Sequence, residues 1–161
     1  MVPGTMADLA PNADRFEPLP AAQAALWGKY LNWKDGEIYF STFIGLELEE
    51  LRRDYARVRL PYRPELRQRA GVVQGGAIAT LVDTVVVPAV GSAYEEVPRM
   101  VTVNMLVQYL SSIVEQDAVA EGWVVRRGRS TVFCRAEVRT ESGTLAATGD
   151  LVYQLLGPPP T

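Results

Sequence analysis

The sequence predicts an α+β domain: an antiparallel sheet of five to six strands wrapped around one long central helix. Three observations predict it. The run from Gly75 to about Tyr94 is apolar nearly all round, which marks a helix covered on most sides. After it, Val101–Tyr109, Ala118–Arg126, Thr131–Arg139 and Leu145–Tyr153 alternate in polarity, with turn chemistry at Gly128 and Ser142-Gly143. One or two more strands are written before it, between Ile38 and Leu60. Strands that follow one another through short turns pair antiparallel, and a single apolar helix fills the concave face of such a sheet.

The elements follow in chain order. Residues 1–18 carry Pro3, Gly4, Pro11, Asn12 and Pro18 and are expected to form a flexible arm. Pro20 followed by Ala21, Ala22, Gln23, Ala24, Ala25 and Leu26 predicts an extra N-terminal helix with proline in its first turn. Leu26/Tyr30 and Trp27/Leu31 form its apolar face, and Asp35-Gly36 ends it. Ile38–Leu60 has strand texture, clearest where Ala56, Val58 and Leu60 alternate with Arg57 and Arg59. Tyr62–Arg69 reads as turn. Pro88 is out of place in the long helix, because proline removes a helical donor. Gly157–Thr161 is a disordered tail. One domain therefore spans residues 19–156.

Composition removes whole classes of chemistry. The chain has 161 residues, 48% apolar and 22% charged, which is a soluble globular balance with enough length to bury a core. A formal charge of −3 argues against a nucleic-acid partner held by bulk electrostatics. No stretch approaches the roughly 20 unbroken apolar residues of a membrane span. There is no histidine, which excludes Ser-His-Asp and Cys-His machinery, His general catalysis and His-ligated metal. A lone cysteine, Cys134, and the lack of a secretory signal fit the cytoplasm.

Chemistry must then come from carboxylates, backbone amides, hydroxyls and side-chain amides. Asp83 is the sharpest candidate, since its helical neighbours Ala79, Thr80, Val86 and Val87 leave a carboxylate in mostly apolar surroundings. The alternative is a structural Asp bonded to Thr80 or Thr84, or facing a wet interface. Gly75-Gly76 opens the same helix, where unpaired N–H groups and a ligand's close approach make a candidate oxyanion site. The alternative is tight packing at the helix start. Arg126-Arg127-Gly128-Arg129 is either a phosphate-binding turn or a solvated one. Cys134 lies on the apolar set Val132, Cys134, Ala136, Val138, as a core thiol would. Trp123 and Phe133 read as packing residues.

These residues resemble a known family. Phe43-Ile44-Gly45-Leu46-Glu47-Leu48, followed by Gly71-Val72-Val73-Gln74-Gly75-Gly76-Ala77-Ile78-Ala79-Thr80-Leu81-Val82-Asp83-Thr84, is similar to acyl-CoA thioesterases of the hotdog fold, in the PaaI-like (phenylacetate-pathway) branch. Val101–Met105 with Tyr109-Leu110 resembles the family's next strand, and Val124–Ser130 its coenzyme-A-side turn. The resemblance spans about residues 40–155. It implies that Asp83 activates water or attacks the thioester, that Gly75 offers its N–H to the thioester oxygen, that Gln68 orients water or the acid, and that Thr102 assists the carboxylate. It further implies that Gln74 and Gly76 meet the substrate, with Arg126, Arg127, Gly128 and Arg129 on the coenzyme A side. Where the family usually has His-Gly-Gly this chain has Gln74-Gly75-Gly76; glutamine donates a hydrogen bond but exchanges no proton near neutral pH.

Gly75 and Asp83 lie eight residues apart, about 12 Å along one helix, whereas a reacting carbonyl needs both within about 3 Å. A homodimer with shared active sites is therefore expected, and the resemblance adds a homotetramer. Such hydrolysis needs no metal or redox cofactor, coenzyme A being part of the substrate. The competing expectation is a weakly active hotdog dimer that binds acyl-CoA or another apolar ligand.

Overall fold

The chain is built around one helix. In the computed structural model, which describes residues 13–29 and 38–157, helix α3 (Gly75–Gly91) has Leu81, Val82, Val85, Val86, Ala89 and Val90 all at 0% exposure. A run this apolar is stable only when covered, and the sheet supplies the cover. Its strands are β1 (Glu47–Arg52), β2 (Tyr55–Leu60), β3 (Met100–Tyr109), β4 (Ala118–Arg127), β5 (Thr131–Thr140) and β6 (Leu145–Leu155). They pair antiparallel in the order β1-β2-β4-β5-β6-β3. The alternation read from the sequence assigns the faces: Val132, Cys134, Ala136 and Val138 of β5 are buried inward, while Phe133 and Arg135 point out.

Small residues let the sheet close on the helix. A Cβ on Gly122 would lie 2.8 Å from Val85 Cγ1, and one on Gly149 2.4 Å from Val82 Cγ1. Cys134 is a core thiol: it is 3% exposed, and burial pushes its pKa up to about 12. Phe133 departs from the expected packing role, standing 44% exposed on the outer face.

Four segments differ from the sequence-based expectation. Phe40–Phe43 is a helical turn, α2, not strand: the Thr42 hydroxyl accepts the Tyr39 N–H and donates to the Tyr39 carbonyl, closing the turn locally. Helix α3 ends at Gly91, three residues before Tyr94, because Ser92 intervenes; its hydroxyl donates to Ala89 O at 2.7 Å and accepts the Asp54 N–H at 2.7 Å. Helix α1 (Ala21–Trp27) is shorter than expected, and the expected partners Tyr30 and Leu31 fall outside the described residues. Ala13–Pro18, expected within the arm, lies on the sheet, with Phe16 stacked on Tyr55 at 5.0 Å and Pro18 bridged to Arg52. Pro88 is accommodated inside α3 near its end, buried. Among the described residues no helix is long and apolar enough to cross a membrane.

Helix α1 is held by the fully buried Trp27 and by Gln23, whose Nε2 donates to the Tyr94 carbonyl at 3.2 Å. The Trp27 ring occupies the space that any side chain on Gly91 would need, 1.9 Å from an ideal Cβ. Gly91→Ala should therefore lower stability by about 1–3 kcal/mol through overpacking. Thermal melting followed by tryptophan emission checks this: the midpoint falls and the native emission shifts to the red as Trp27 is unseated.

Candidate active site

Gly76, Thr80 and Asp83 fall at i, i+4 and i+7 of α3 and so share one helix face. Thr80 does not serve the carboxylate; its hydroxyl donates to the Gly76 carbonyl at 2.9 Å. The donors to Asp83 come from the sheet. Thr102 Oγ1 lies 2.9 Å from Asp83 Oδ1, and the Tyr153 hydroxyl lies 2.6 Å from the same oxygen and 2.8 Å from the Asp83 backbone carbonyl. Thr102 and Tyr153 are cross-strand neighbours in the β3–β6 ladder, which brings both hydroxyls to one point. Asp83 is half-buried rather than enclosed by apolar groups, and its Oδ2 receives no hydrogen bond from the described residues. One oxygen is fixed by two donors and the other is left for chemistry.

Tyr153 was not singled out in the sequence. It is 70 residues from Asp83, and strand alternation marks it only as an inward residue.

The start of α3 forms a second, separate group. Gln74 is the N-cap, with extended backbone and no side-chain capping bond. Its carbonyl accepts the N–H of Ala77 at 2.9 Å and of Ile78 at 3.3 Å, while the N–H groups of Gly75 and Gly76 meet no acceptor among the described residues. The Tyr109 hydroxyl donates to Gly75 O at 2.9 Å. Gln68 and Gly75 line a common cavity of about 280 Å³, together with Tyr109. Gln68 Oε1 accepts the Ala70 N–H at 2.9 Å, which turns the side chain onto its own loop. A larger cavity, 610 Å³, lies beside Gln74, Gly76 and Thr80 and is walled by Phe40, Phe43 and Leu66. The structure thus brings Asp83 to Thr102 and brings Gly75 to Gln68, but leaves the two pairs apart within one protomer.

The basic turn divides. Arg127 points inward, pairs with Asp54, donates to the Val90 carbonyl and the Tyr94 hydroxyl at 3.1 Å each, and packs 5.2 Å over the Tyr94 ring. It ties the end of α3 to the sheet. Arg126 and Arg129 are exposed, and Gly128 closes the turn through its N–H to Thr131 O at 2.8 Å. The register runs Arg127–Val132–Tyr153–Thr102 across neighbouring strands, so the turn sits two strand spacings, about 10 Å, from Tyr153 and three, about 14 Å, from Thr102.

Comparison with known proteins places this arrangement. The family model of the thioesterase superfamily matches residues 70–147. A Halobacterium salinarum protein described as a "putative esterase" is 32% identical over 66% of this chain and 73% of its own length. The chain belongs to the thioesterase superfamily. A solved Mycobacterium tuberculosis structure, also titled an esterase of that description, is 27% identical and covers 76% of this chain and 100% of its own, with a TM-score of 0.70. The Escherichia coli PaaI protein of the phenylacetic acid degradation operon shares the hotdog fold at a TM-score of 0.74, 15% identity, 84% of this chain and 94% of its own. This thioesterase-superfamily chain is thus a hydrolase with the hotdog fold. The matched span holds Gly75, Asp83, Thr102 and the basic turn; Gln68 and Tyr153 lie outside it.

The division of the basic turn is testable without an activity assay. Arg127→Met leaves Asp54 and the Val90 carbonyl without their donor and should lower stability by about 1–3 kcal/mol. Arg126→Met and Arg129→Met should leave the thermal midpoint where it is, because neither side chain is built into the fold.

Proposed function

We propose that the protein hydrolyses acyl-CoA thioesters to the free acid and coenzyme A. The observation that carries this is Asp83, whose Oδ1 is taken by Thr102 and Tyr153 and whose Oδ2 is left open on the helix face shared with Gly76 and Thr80. Oδ2 takes a proton from water as that water adds to the thioester carbonyl, or itself adds to the carbon. In either route the developing oxyanion accepts the Gly75 N–H. Where water adds, coenzyme A leaves as the thiol with the proton that Asp83 returns; where Oδ2 adds, coenzyme A leaves as the thiolate, and water then splits the acyl–Asp83 anhydride into the free acid and the Asp83 carboxylate, its released proton going to the thiolate. Gln68 and Gln74 orient water and substrate, with Gly76 giving the acyl group a close path along the backbone. The reaction as proposed calls on no metal or redox cofactor, and involves neither a nucleic acid nor a membrane.

Geometry supports a shared site. Strand β3 is an edge, and Val101, Val103, Leu106 and Tyr109 on it are 46–62% exposed. A long apolar edge demands a partner. Thr102 with Asp83 stands near one end of β3, and Tyr109 with Gly75 at the other. Antiparallel pairing of β3 with its own copy about the strand's middle sets each protomer's Asp83 toward the partner's Gly75. The exposed Phe133 and Val125 on the outer face support a further pairing of dimers into a homotetramer. Arg126 and Arg129 are the phosphate contacts, at the end of β4 that lies level with Thr102 and Tyr153, with Gly128 shaping the turn and Arg127 anchoring it. The cytoplasm is the compartment that a single unpaired cysteine fits.

Release of free thiol from a panel of acyl-CoAs tests the proposal. Wild type should turn over at least one of them. Asp83→Asn should lose at least about a thousandfold in kcat while keeping the wild-type dimer in sedimentation. Arg126→Gln and Arg129→Gln should raise KM more than they lower kcat, and the effect should shrink as salt rises. Turnover that persists in Asp83→Asn contradicts the proposal.

A further inference from the structure

Two adjacent glycines open α3. Glycine lets a thioester oxygen come close to the backbone, but it also has the widest φ, ψ freedom of any residue. An oxyanion donor is effective only when it is held in place before the reaction. The Gln74 side chain makes no capping bond, so the N-cap does not hold this turn through its side chain.

Helix α3 holds this turn through its own backbone bonds, and strand β3 adds a second hold from outside the helix. Tyr109 donates its hydroxyl to Gly75 O at 2.9 Å, and its ring atoms lie 3.4–3.5 Å from where a Gly75 Cβ would be, so the ring packs flat against the bare backbone. On the other side of Gly75, the Gln74 carbonyl is engaged by Ala77 and Ile78. Both peptide planes that flank Gly75 are therefore pinned through their carbonyls, and their N–H groups are left facing outward. Neither carbonyl bond competes for the N–H that meets the substrate.

We infer that Tyr109 is a positioning residue for the oxyanion donor: it supplies, from the edge strand, the rigidity that the Gly75-Gly76 pair gives up for close approach. Tyr109 touches neither Asp83 nor the reacting atoms; it acts through Gly75. The inference rests on the proposed role of the Gly75 N–H. It also links catalysis to assembly, because the strand that clamps the donor is the one whose open edge pairs with the second copy.

Tyr109→Phe keeps the ring on Gly75 and removes only the hydroxyl. It should lower kcat about tenfold with KM within about twofold, since the lost effect is confined to the transition state. Affinity for a trifluoromethyl ketone analogue of acyl-CoA, whose tetrahedral adduct carries the oxyanion, should fall by the same factor. Affinity for a non-hydrolysable thioether analogue should stay at the wild-type value. Tyr109→Leu, which removes the ring as well, should lose more in kcat. Wild-type kcat in both variants, or a fall in thioether affinity that matches the fall in kcat/KM, overturns the clamp. Asp83→Asn in the same assay separates the two levels. If its turnover is abolished while both Tyr109 variants keep wild-type kcat, the clamp alone fails. If wild type shows no turnover, or Asp83→Asn retains it, the hydrolase proposal and the clamp fail together.

Discussion

A carboxylate in the middle of a helix that a sheet must cover is the constraint on which this structure depends. Helix α3 is apolar on nearly every side because the sheet curls around it, yet it carries Asp83. Withdrawing an ionised carboxylate from water costs several kcal/mol unless hydrogen bonds replace the lost solvation. The fold meets that cost at one place only. Thr102 on β3 and Tyr153 on β6 face each other across a ladder, and both reach Oδ1. The remaining oxygen, Oδ2, receives no hydrogen bond from the described residues.

The same edge strand explains why the chemical groups are split. Eight residues of helix separate Gly75 from Asp83, and β3 runs past both, touching the first through Tyr109 and the second through Thr102. Neither end is complete within a protomer. In the proposed dimer, self-complementary pairing of two edges would join unlike ends and complete two sites at once. Gly122 and Gly149 let the sheet approach the helix, and the proposed reaction gives Gly75 and Gly76 the corresponding role toward substrate.

The framework was legible in the sequence because its signals are periodic. Alternation placed the last four strands to within two residues, and the unbroken apolar run placed α3 from its first residue. What stayed hidden lacks a period. The Phe40–Phe43 turn is closed by a single Thr42 hydroxyl inside a segment of strand-like composition. Tyr153 meets Asp83 only through tertiary folding. The different fates of Arg126 and Arg127 turn on a register shift between Val124 and Arg126, which swaps the faces at the end of β4. Plain alternation from Ala118 would have put Arg126 inward. Resemblance supplied the roles of Gln68 and Thr102; the structure joins Thr102 to Asp83 directly and leaves Gln68 beside Gly75.

The central claim is that each site takes its carboxylate from one protomer and its oxyanion donor from the other. Gly75 sits at the first helical position after an extended Gln74, where proline is tolerated, so Gly75→Pro deletes the donor N–H with little disturbance of the helix. Gly75→Pro and Asp83→Asn homodimers should both be inactive on acyl-CoA. Mixed and allowed to exchange subunits, they should recover about one quarter of wild-type turnover, because half the dimers are mixed and each holds one intact site. Recovery of that size supports a shared site. A mixture that exchanges subunits and stays inactive, or two parents that are active alone, would contradict it.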